Sequence, residues 1–303
     1  MEVSREKDVF TPIGRMEQRR KKIKCELYND SYQNWKKYPI QKAQLVIANV
    51  PYALGKDAYG SNPMWYNGGD NKNGESKFAG KQFFPSDQYF NLYEYFHFCN
   101  QILKKEPKKG GERGKSSDAP CMVLFCSFEQ IPTLIAAAEK HGFVHNIPLV
   151  FIKNYSAQVL KANMRIVGAT EYGILLYRDR LPKFRNDGKM IFNWMKWEQD
   201  GAGIPKFHPT QKPQSILRKL ITVLTDEGDT VIDPVAGSGS TLRAAKDLWR
   251  NSYGFEIYKP FYKQATEEML NENYGELLLK RERKETGQMN LYDFMEGRGN
   301  GYI

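Results

Sequence analysis

Apolar residues fall along this chain in short unbroken runs, most of them closing on a proline, a glycine or an acid. QLVIANVPY (44–52), CMVLFCS (121–127), NIPLVFIKN (146–154), EYGILLYRD (171–179), DTVIDP (229–234) and NSYGFEI (251–257) lack strict alternation. That pattern predicts strands covered on both faces. Between them, residues 87–104, 129–141, 214–225, 240–249 and 259–273 carry helical spacing, most clearly in the amphipathic QSILRKLITVLT (214–225). Strands alternating with helices predict an α/β domain built on a mostly parallel sheet. Three stretches break the rhythm. Residues 53–84 are rich in Gly, Asn and aromatics, KKEPKKGGERGKSSD (104–118) reads as a surface loop, and 180–207 is irregular, with Phe184, Phe192, Trp194 and Trp197 among basic residues. A loop as long as 53–84 is commonly functional. No internal repeat is visible.

Composition narrows the class. A chain of 303 residues accommodates one large domain with an attached lobe, or two modest ones. The formal net charge is +10, and Arg19, Arg20, Lys21, Lys22 and Lys24 cluster in a polar arm over residues 1–24. A basic balance favours a polyanionic partner, because Lys and Arg displace counterions from phosphates; the arm reads equally as a solvated segment. The four cysteines show no framework spacing, and Cys121 and Cys126 share one apolar run, so buried thiols in a reduced, cytoplasmic protein are expected. The four histidines are scattered and show no zinc constellation. Neither a membrane span nor a secretion signal is indicated.

Two segments carry candidate chemistry. In DTVIDPVAGSGSTLRAA (229–245) an apolar strand ends at Asp233, a small-residue turn follows and a helix begins. Gly237 and Gly239 let the backbone approach a ligand closely, and the helix start offers N–H donors. Glu256, ending the next strand, is placed to hold ribose hydroxyls. NAD and ATP fit poorly: the GxGxxG spacing and the Lys-Ser/Thr ending of a phosphate loop are missing, and Asp233 would repel phosphate but suit an ammonium. The second segment is Asn49-Val50-Pro51-Tyr52, again at the carboxyl end of a strand. An adenine amino group is a poor nucleophile because its lone pair is delocalised into the ring. The Asn49 side-chain oxygen and the Val50 carbonyl would accept its hydrogens and localise that pair, while Tyr52 offers a face for an extruded base.

Together these residues resemble the amino-methyltransferases of the permuted β group, the DNA N6-adenine and N4-cytosine enzymes, in which the catalytic motif precedes the cofactor motif. The family pattern Asp-Pro-Phe-x-Gly-Ser-Gly is matched at Asp233, Pro234, Ala236, Gly237, Ser238 and Gly239, with Val235 in place of Phe, and Ser240 follows. His208, Pro209, Thr210, Gln211, Lys212 and Pro213 match the His-Pro-Thr-Gln-Lys-Pro signature, which lines the methionine end of the cofactor pocket in that family. Glu256 matches its ribose-binding acid, and Asp30 in LYND resembles the acid that precedes its catalytic strand. The catalytic tetrapeptide is usually Asp-Pro-Pro-Tyr; Asn-aliphatic-Pro-Tyr resembles ribosomal RNA adenine dimethyltransferases.

The resemblance implies a Rossmann-like fold with a seven-stranded, mostly parallel sheet and permuted motif order, S-adenosyl-L-methionine as cofactor, and no metal. Residues 25–154 would form the catalytic half, 155–207 a target-recognition lobe and 208–275 the cofactor-binding half, with 276–303 a polar tail. The aromatics of the lobe read equally as a small apolar core. The loop 53–84 would close over a flipped base. The implied partners are double-stranded DNA and, in a restriction system, a cognate endonuclease, for a monomer or homodimer of bacterial, phage or mobile-element origin. Asn at the first position favours adenine N6 over cytosine N4. An RNA adenine methyltransferase and a DNA-binding relic without activity are the rival readings.

Overall fold

The computed structural model describes residues 23–51, 90–108, 117–154, 158–161, 166–201, 203–208 and 210–271. The basic run of the arm up to Lys22, Tyr52 with the aromatic loop 53–84, Pro209 and the tail 276–303 lie outside the described residues.

The strands are β1 (Cys25–Tyr28), β2 (Leu45–Asn49), β3 (Cys121–Cys126), β4 (His145–Lys153), β5 (Gln158–Lys161), β6 (Ile166–Gly168), β7 (Thr170–Tyr177), β8 (Trp194–Trp197), β9 (Thr230–Asp233) and β10 (Asn251–Phe255). The helices are α1 (Leu92–Ile102), α2 (Ile131–Glu139), α3 (Gln214–Leu224), α4 (Ser240–Asp247) and α5 (Lys259–Gln264), the last continued by a π-helical turn, Ala265–Met269. Eight strands form one sheet in the order β1-β10-β9-β2-β3-β7-β4-β8, and β5 and β6 pair as a separate ribbon. All neighbours in the large sheet run parallel except β7, which is antiparallel to both β3 and β4.

Among the described residues, the expected seven strands are therefore eight. The additional one, β8, comes from the stretch that reads as irregular in sequence; it adds to β4 with Met195 and Trp197 buried and Trp194 and Lys196 facing out. Thr170–Tyr177 and Trp194–Trp197, both inside the span 155–207, thus belong to the main sheet. Its aromatics divide accordingly: Trp197 is core, whereas Phe192 is exposed and stacks on Trp194 at 5.8 Å.

The unbroken apolar runs have a simple cause: both faces of the sheet are covered. Val46, Ala48, Met122 and Leu124 face a core closed by α1 and α2, through Tyr95, Phe96, Leu134 and Ala138. Leu45, Ile47, Val123 and Phe125 face the opposite core, closed by α3 and α4 through Ile216, Leu220, Ile221 and Ala244. Cys99, Cys121 and Cys126 are buried, and desolvation pushes the Cys121 and Cys126 thiols up to about 12, so these two are protonated filler rather than nucleophiles. Among the described residues no helix is long and apolar enough to cross a membrane.

The topology positions the site. From β2 the chain moves outward through α1 to β3, and from β9 it moves the other way through α4 to β10. The crevice where those directions diverge, at the carboxyl ends of adjacent parallel strands, is where open α/β sheets bind ligands.

Candidate functional site

The turn after β9 is built from its backbone outward. Asp233 ends the strand, buried, and one carboxylate oxygen accepts from the Val235 N–H at 3.1 Å. Gly237 (φ +52°) and Gly239 (φ +74°) occupy the left-handed region, where a side chain is strained, and Gly239 starts α4. Glu256, just past β10, ties the turn down: its oxygens accept from the Gly237 N–H at 2.9 Å and the Tyr258 N–H at 2.7 Å. The glycine in the middle of this unit, Gly254, is there for packing. A Cβ would lie 2.8 Å from the Leu242 Cδ1 of α4 and 3.1 Å from the Ala236 Cβ, so a larger residue would have to push helix and turn off β10 or move the Leu242 side chain.

Both acids are held where charge is poorly solvated. Burial pushes Asp233 up to about 6, against hydrogen bonds from Thr241 and Val235. Burial likewise pushes Glu256 up to about 7, with Asp233 adding to the rise. A ligand bringing an ammonium or hydroxyl donors would favour their ionised forms.

The other wall comes from β2 and from the segment entering α3. Asn49 ends β2 and donates through Nδ2 to Thr210 Oγ1 at 3.1 Å. Its Oδ1 is buried and has no hydrogen-bond partner among the described residues, and the same holds for Gln211 Oε1. Both residues line a cleft of about 320 Å³, counting space open to solvent, together with Asp233, Gly237 and Ser240. Buried acceptors without partners are uncommon and point to donors arriving on a ligand. The Asp233 carboxylate, two waiting amide oxygens and a turn opened at Gly237 fit a ligand bringing an ammonium and hydroxyls. They do not fit a triphosphate.

The remaining sequence-derived candidates sort as follows. His208, Thr210, Lys212, Ala236 and Ser238 also line the cleft. Pro234 is buried in the turn, and Pro213 caps α3 in extended conformation. Val50 is buried with its N–H bonded to the Phe125 carbonyl at 3.2 Å, and the Pro51 carbonyl accepts from Gln130 Nε2 at 2.7 Å. Glu256 does not line the cleft and touches it only through the Gly237 N–H from which it accepts, and a second acid, Asp30, does not line it either. The Asp30 carboxylate is taken by the Ser31 N–H, Asn34 and the Tyr38 hydroxyl, which makes it the lock of the turn after β1. Its neighbour Asn29 donates to the Glu256 carbonyl at 2.8 Å.

One part of the site escapes sequence reasoning. Lys212 is buried, and its ammonium meets Glu171 Oε2 of β7 at 2.7 Å, while Lys153 of β4 meets the other oxygen at 2.5 Å. Lys212 lies over the Phe125 ring (5.1 Å), and the Trp197 ring is approached by Lys212 (5.4 Å) and Lys153 (4.7 Å). Burial works against charge on Glu171, yet the Lys212 and Lys153 ammoniums outweigh it and hold the carboxyl below its ordinary value. The only sequence signal is an acid opening the apolar run EYGILLY.

Comparison with known proteins agrees with this architecture. The family model of the N6/N4 DNA methylases matches residues 43–267. The DNA adenine methyltransferase YhdJ of Escherichia coli is 23% identical over 283 residues, covering 88% of this chain and 90% of YhdJ. The type II methyltransferase M2.DpnII of Streptococcus pneumoniae is 38% identical over 102 residues, 32% of this chain and 37% of its own. In fold, the chain is similar to M1.HpyAVI, solved in complex with SAM (TM-score 0.55, 21% identity, covering 81% of this chain and 99% of that one). It is also similar to the cytosine-N4-specific PvuII DNA methyltransferase (TM-score 0.56, 15% identity, covering 82% and 86%). Asn49 coming before Asp233 in sequence yet beside it in the sheet is what the permuted strand order requires, and with three-quarters of its length under one family model this chain belongs to the N6/N4 DNA methylases.

Proposed function

We propose that this DNA methyltransferase uses S-adenosylmethionine to methylate the exocyclic N6 of adenine in duplex DNA, acting on a base rotated out of the helix. The observation that carries the reading is the Asn49 Oδ1 atom: a buried acceptor without a partner among the described residues, at the end of β2, in the same cleft as Asp233. The cofactor supplies an electrophilic methyl group on a sulfonium. The chain's own residues do the rest. Asp233 and Glu256 hold the polar ends of the cofactor, and the glycine turn gives room for close approach. Asn49 Oδ1 and the Val50 carbonyl accept the two amino hydrogens, which draws the nitrogen lone pair out of the ring and aims it at the cleft. Tyr52 stacks on the base.

Asn at the head of the tetrapeptide and the adenine specificity in the name of YhdJ support N6 over N4. The likeness to the N4-specific PvuII enzyme, at 15% identity, speaks to fold and leaves that choice untouched. The enzyme works in a bacterial or phage-infected cytoplasm, alone or beside a restriction endonuclease, as the type II name of M2.DpnII suggests.

The test is single-turnover methylation of genomic DNA from a host lacking the enzyme, with the modified base identified by mass spectrometry. N6-methyladenine is the expected product; N4-methylcytosine would overturn the base assignment. Asn49→Ala is expected to slow methylation on the order of 100-fold, the scale of losing one preorganised hydrogen bond at a reacting centre, with cofactor affinity near the parent's. An Asn49→Ala enzyme as fast as the parent would make the tetrapeptide a turn and no more.

A further inference from the structure

An asparagine amide has two faces of nearly equal shape, and only one presents an acceptor to the cleft. Something must choose between them. A threonine hydroxyl cannot choose by itself, because it donates and accepts. Around Asn49 the choice is made one residue further out. The Thr210 backbone N–H points at His208 Nδ1 at 3.3 Å, and a backbone N–H can only donate, so Nδ1 is an acceptor and the imidazole proton sits on Nε2. Thr210 Oγ1 lies 3.2 Å from the same nitrogen. Both contacts are long, and the one Nδ1 lone pair is shared between the backbone N–H and the hydroxyl as a three-centre bond, which leaves the hydroxyl oxygen to accept from Asn49. Nδ2 fills that place at 3.1 Å, and Oδ1 is left buried and without a partner among the described residues, on a residue that lines the cleft.

The histidine is itself held. Its ring packs on Phe261 with centroids 4.4 Å apart, and a Cβ at position 237 would stand 3.0 Å from His208 Nε2. The glycine of the cofactor turn thus makes room for the imidazole, and the chain of contacts runs unbroken from that turn to the acceptor amide. Burial, with Lys212 nearby, pushes His208 down to about 4, which keeps the ring neutral and Nδ1 an acceptor at neutral pH.

We propose that Thr210 and His208 are positioning residues of the methyl-transfer step: their hydrogen-bond relay fixes the Asn49 amide with its oxygen, not its nitrogen, toward the target amino group. The assignment rests on Asn49 being the acceptor of that amino group.

The experiment compares Thr210→Val, Thr210→Ser, His208→Phe and Asn49→Ala in the full chain. Single-turnover methylation of unmodified genomic DNA is measured at saturating S-adenosylmethionine, and cofactor affinity by calorimetry. Thr210→Val keeps the volume but removes the hydroxyl, and His208→Phe keeps a ring but removes the acceptor. Each is expected to slow methyl transfer at saturating cofactor by about 10- to 100-fold, the scale of a misplaced reacting group, and by more than any loss of cofactor affinity accounts for. Thr210→Ser, which retains the hydroxyl, is expected to stay close to the parent's rate. Four results overturn the relay: Thr210→Val at the parent's rate, His208→Phe at the parent's rate, Thr210→Ser as slow as Thr210→Val, or losses that track cofactor affinity. If Asn49→Ala alone is crippled, the relay fails and the reading of Asn49 stands; if Asn49→Ala is unimpaired, both fall.

Discussion

Burial raises Asp233 and Glu256 toward neutrality, so that both titrate within the range a ligand's donors can shift. Their values of about 6 and about 7 exceed the ordinary 3.8 and 4.5, so the folded protein retains protons that the unfolded chain has released. The two groups therefore cost the ligand-free protein stability progressively as pH rises from about 4 to about 7. In the proposed binding mode, donors on the cofactor favour the ionised acids, so that binding releases protons in that range. Affinity for S-adenosylmethionine is expected to strengthen as pH rises from about 5.5 to about 7, and calorimetry in buffers of different ionisation enthalpy should register net proton release. Affinity that is flat across this window would separate these acids from the cofactor. A second residue-scale expectation concerns Val50, which in the proposed reaction acts through its carbonyl. Val50→Pro keeps that carbonyl and much of the activity, but loses the N–H bond to Phe125 and about 1 kcal/mol of stability in urea unfolding. Site residues carried by a contiguous motif, such as Thr210 to Lys212 or Asp233 to Ser240, are legible in sequence because neighbours in the chain stay neighbours in the cleft. Asp30 fails for the same reason in reverse. Its local partners Ser31, Asn34 and Tyr38 satisfy it before the cleft can.

Between elements, the ion pairs of Glu171 join three pieces of chain that sequence keeps apart: β7, β4 through Lys153, and the segment entering α3 through Lys212. Removing the shared acid breaks both ion pairs at once, beside the buried Lys212 ammonium, whereas removing one lysine leaves Glu171 paired with the other. Glu171→Gln is therefore expected to destabilise by about 3 kcal/mol or more, and Lys212→Met by clearly less, in urea unfolding monitored by circular dichroism. Equal losses would mean that packing of the Lys212 stem against Phe125 and Trp197 outweighs the charge. At this scale sequence legibility depends on an apolar run with clear bounds. The six apolar runs all lie in the large sheet; β9 is as short as β1 and β8, but CELY and WMKW are each broken by a charge, where DTVIDP is bounded by acids. WMKW does alternate, with Met195 and Trp197 inward, but as an edge strand beside exposed Phe192 its pattern merges into the polar surroundings.

For the whole molecule, the insertion of β9 and β10 between β1 and β2 makes the chain's start and its later half share one sheet, and this fixes where the basic arm leaves the body. The Lys24 N–H donates to Asn251 Oδ1 at 3.0 Å and its carbonyl accepts from the Ser252 N–H at 2.8 Å, so Lys24 is already part of the β1–β10 pairing. A deletion that asks what the arm does should stop at residue 22, leaving that pairing intact while removing Arg19, Arg20, Lys21 and Lys22. With a net charge of +10, DNA affinity of the full chain is expected to fall steeply with salt, because each phosphate neutralised returns a counterion to solution. If the four clustered cations sit on phosphates, the deletion should reduce the slope of log affinity against log salt by about 3 to 4, since each contact contributes roughly 0.9. The measurement is a fluorescence-anisotropy titration of unmodified duplex at several potassium chloride concentrations, for both chains, with saturating cofactor. A slope reduced by that amount with unchanged cofactor affinity makes the arm a phosphate clamp. An unchanged slope makes the arm a solvated segment and assigns the counterion release to the body of the enzyme, where the remaining positive charge would then have to track the duplex.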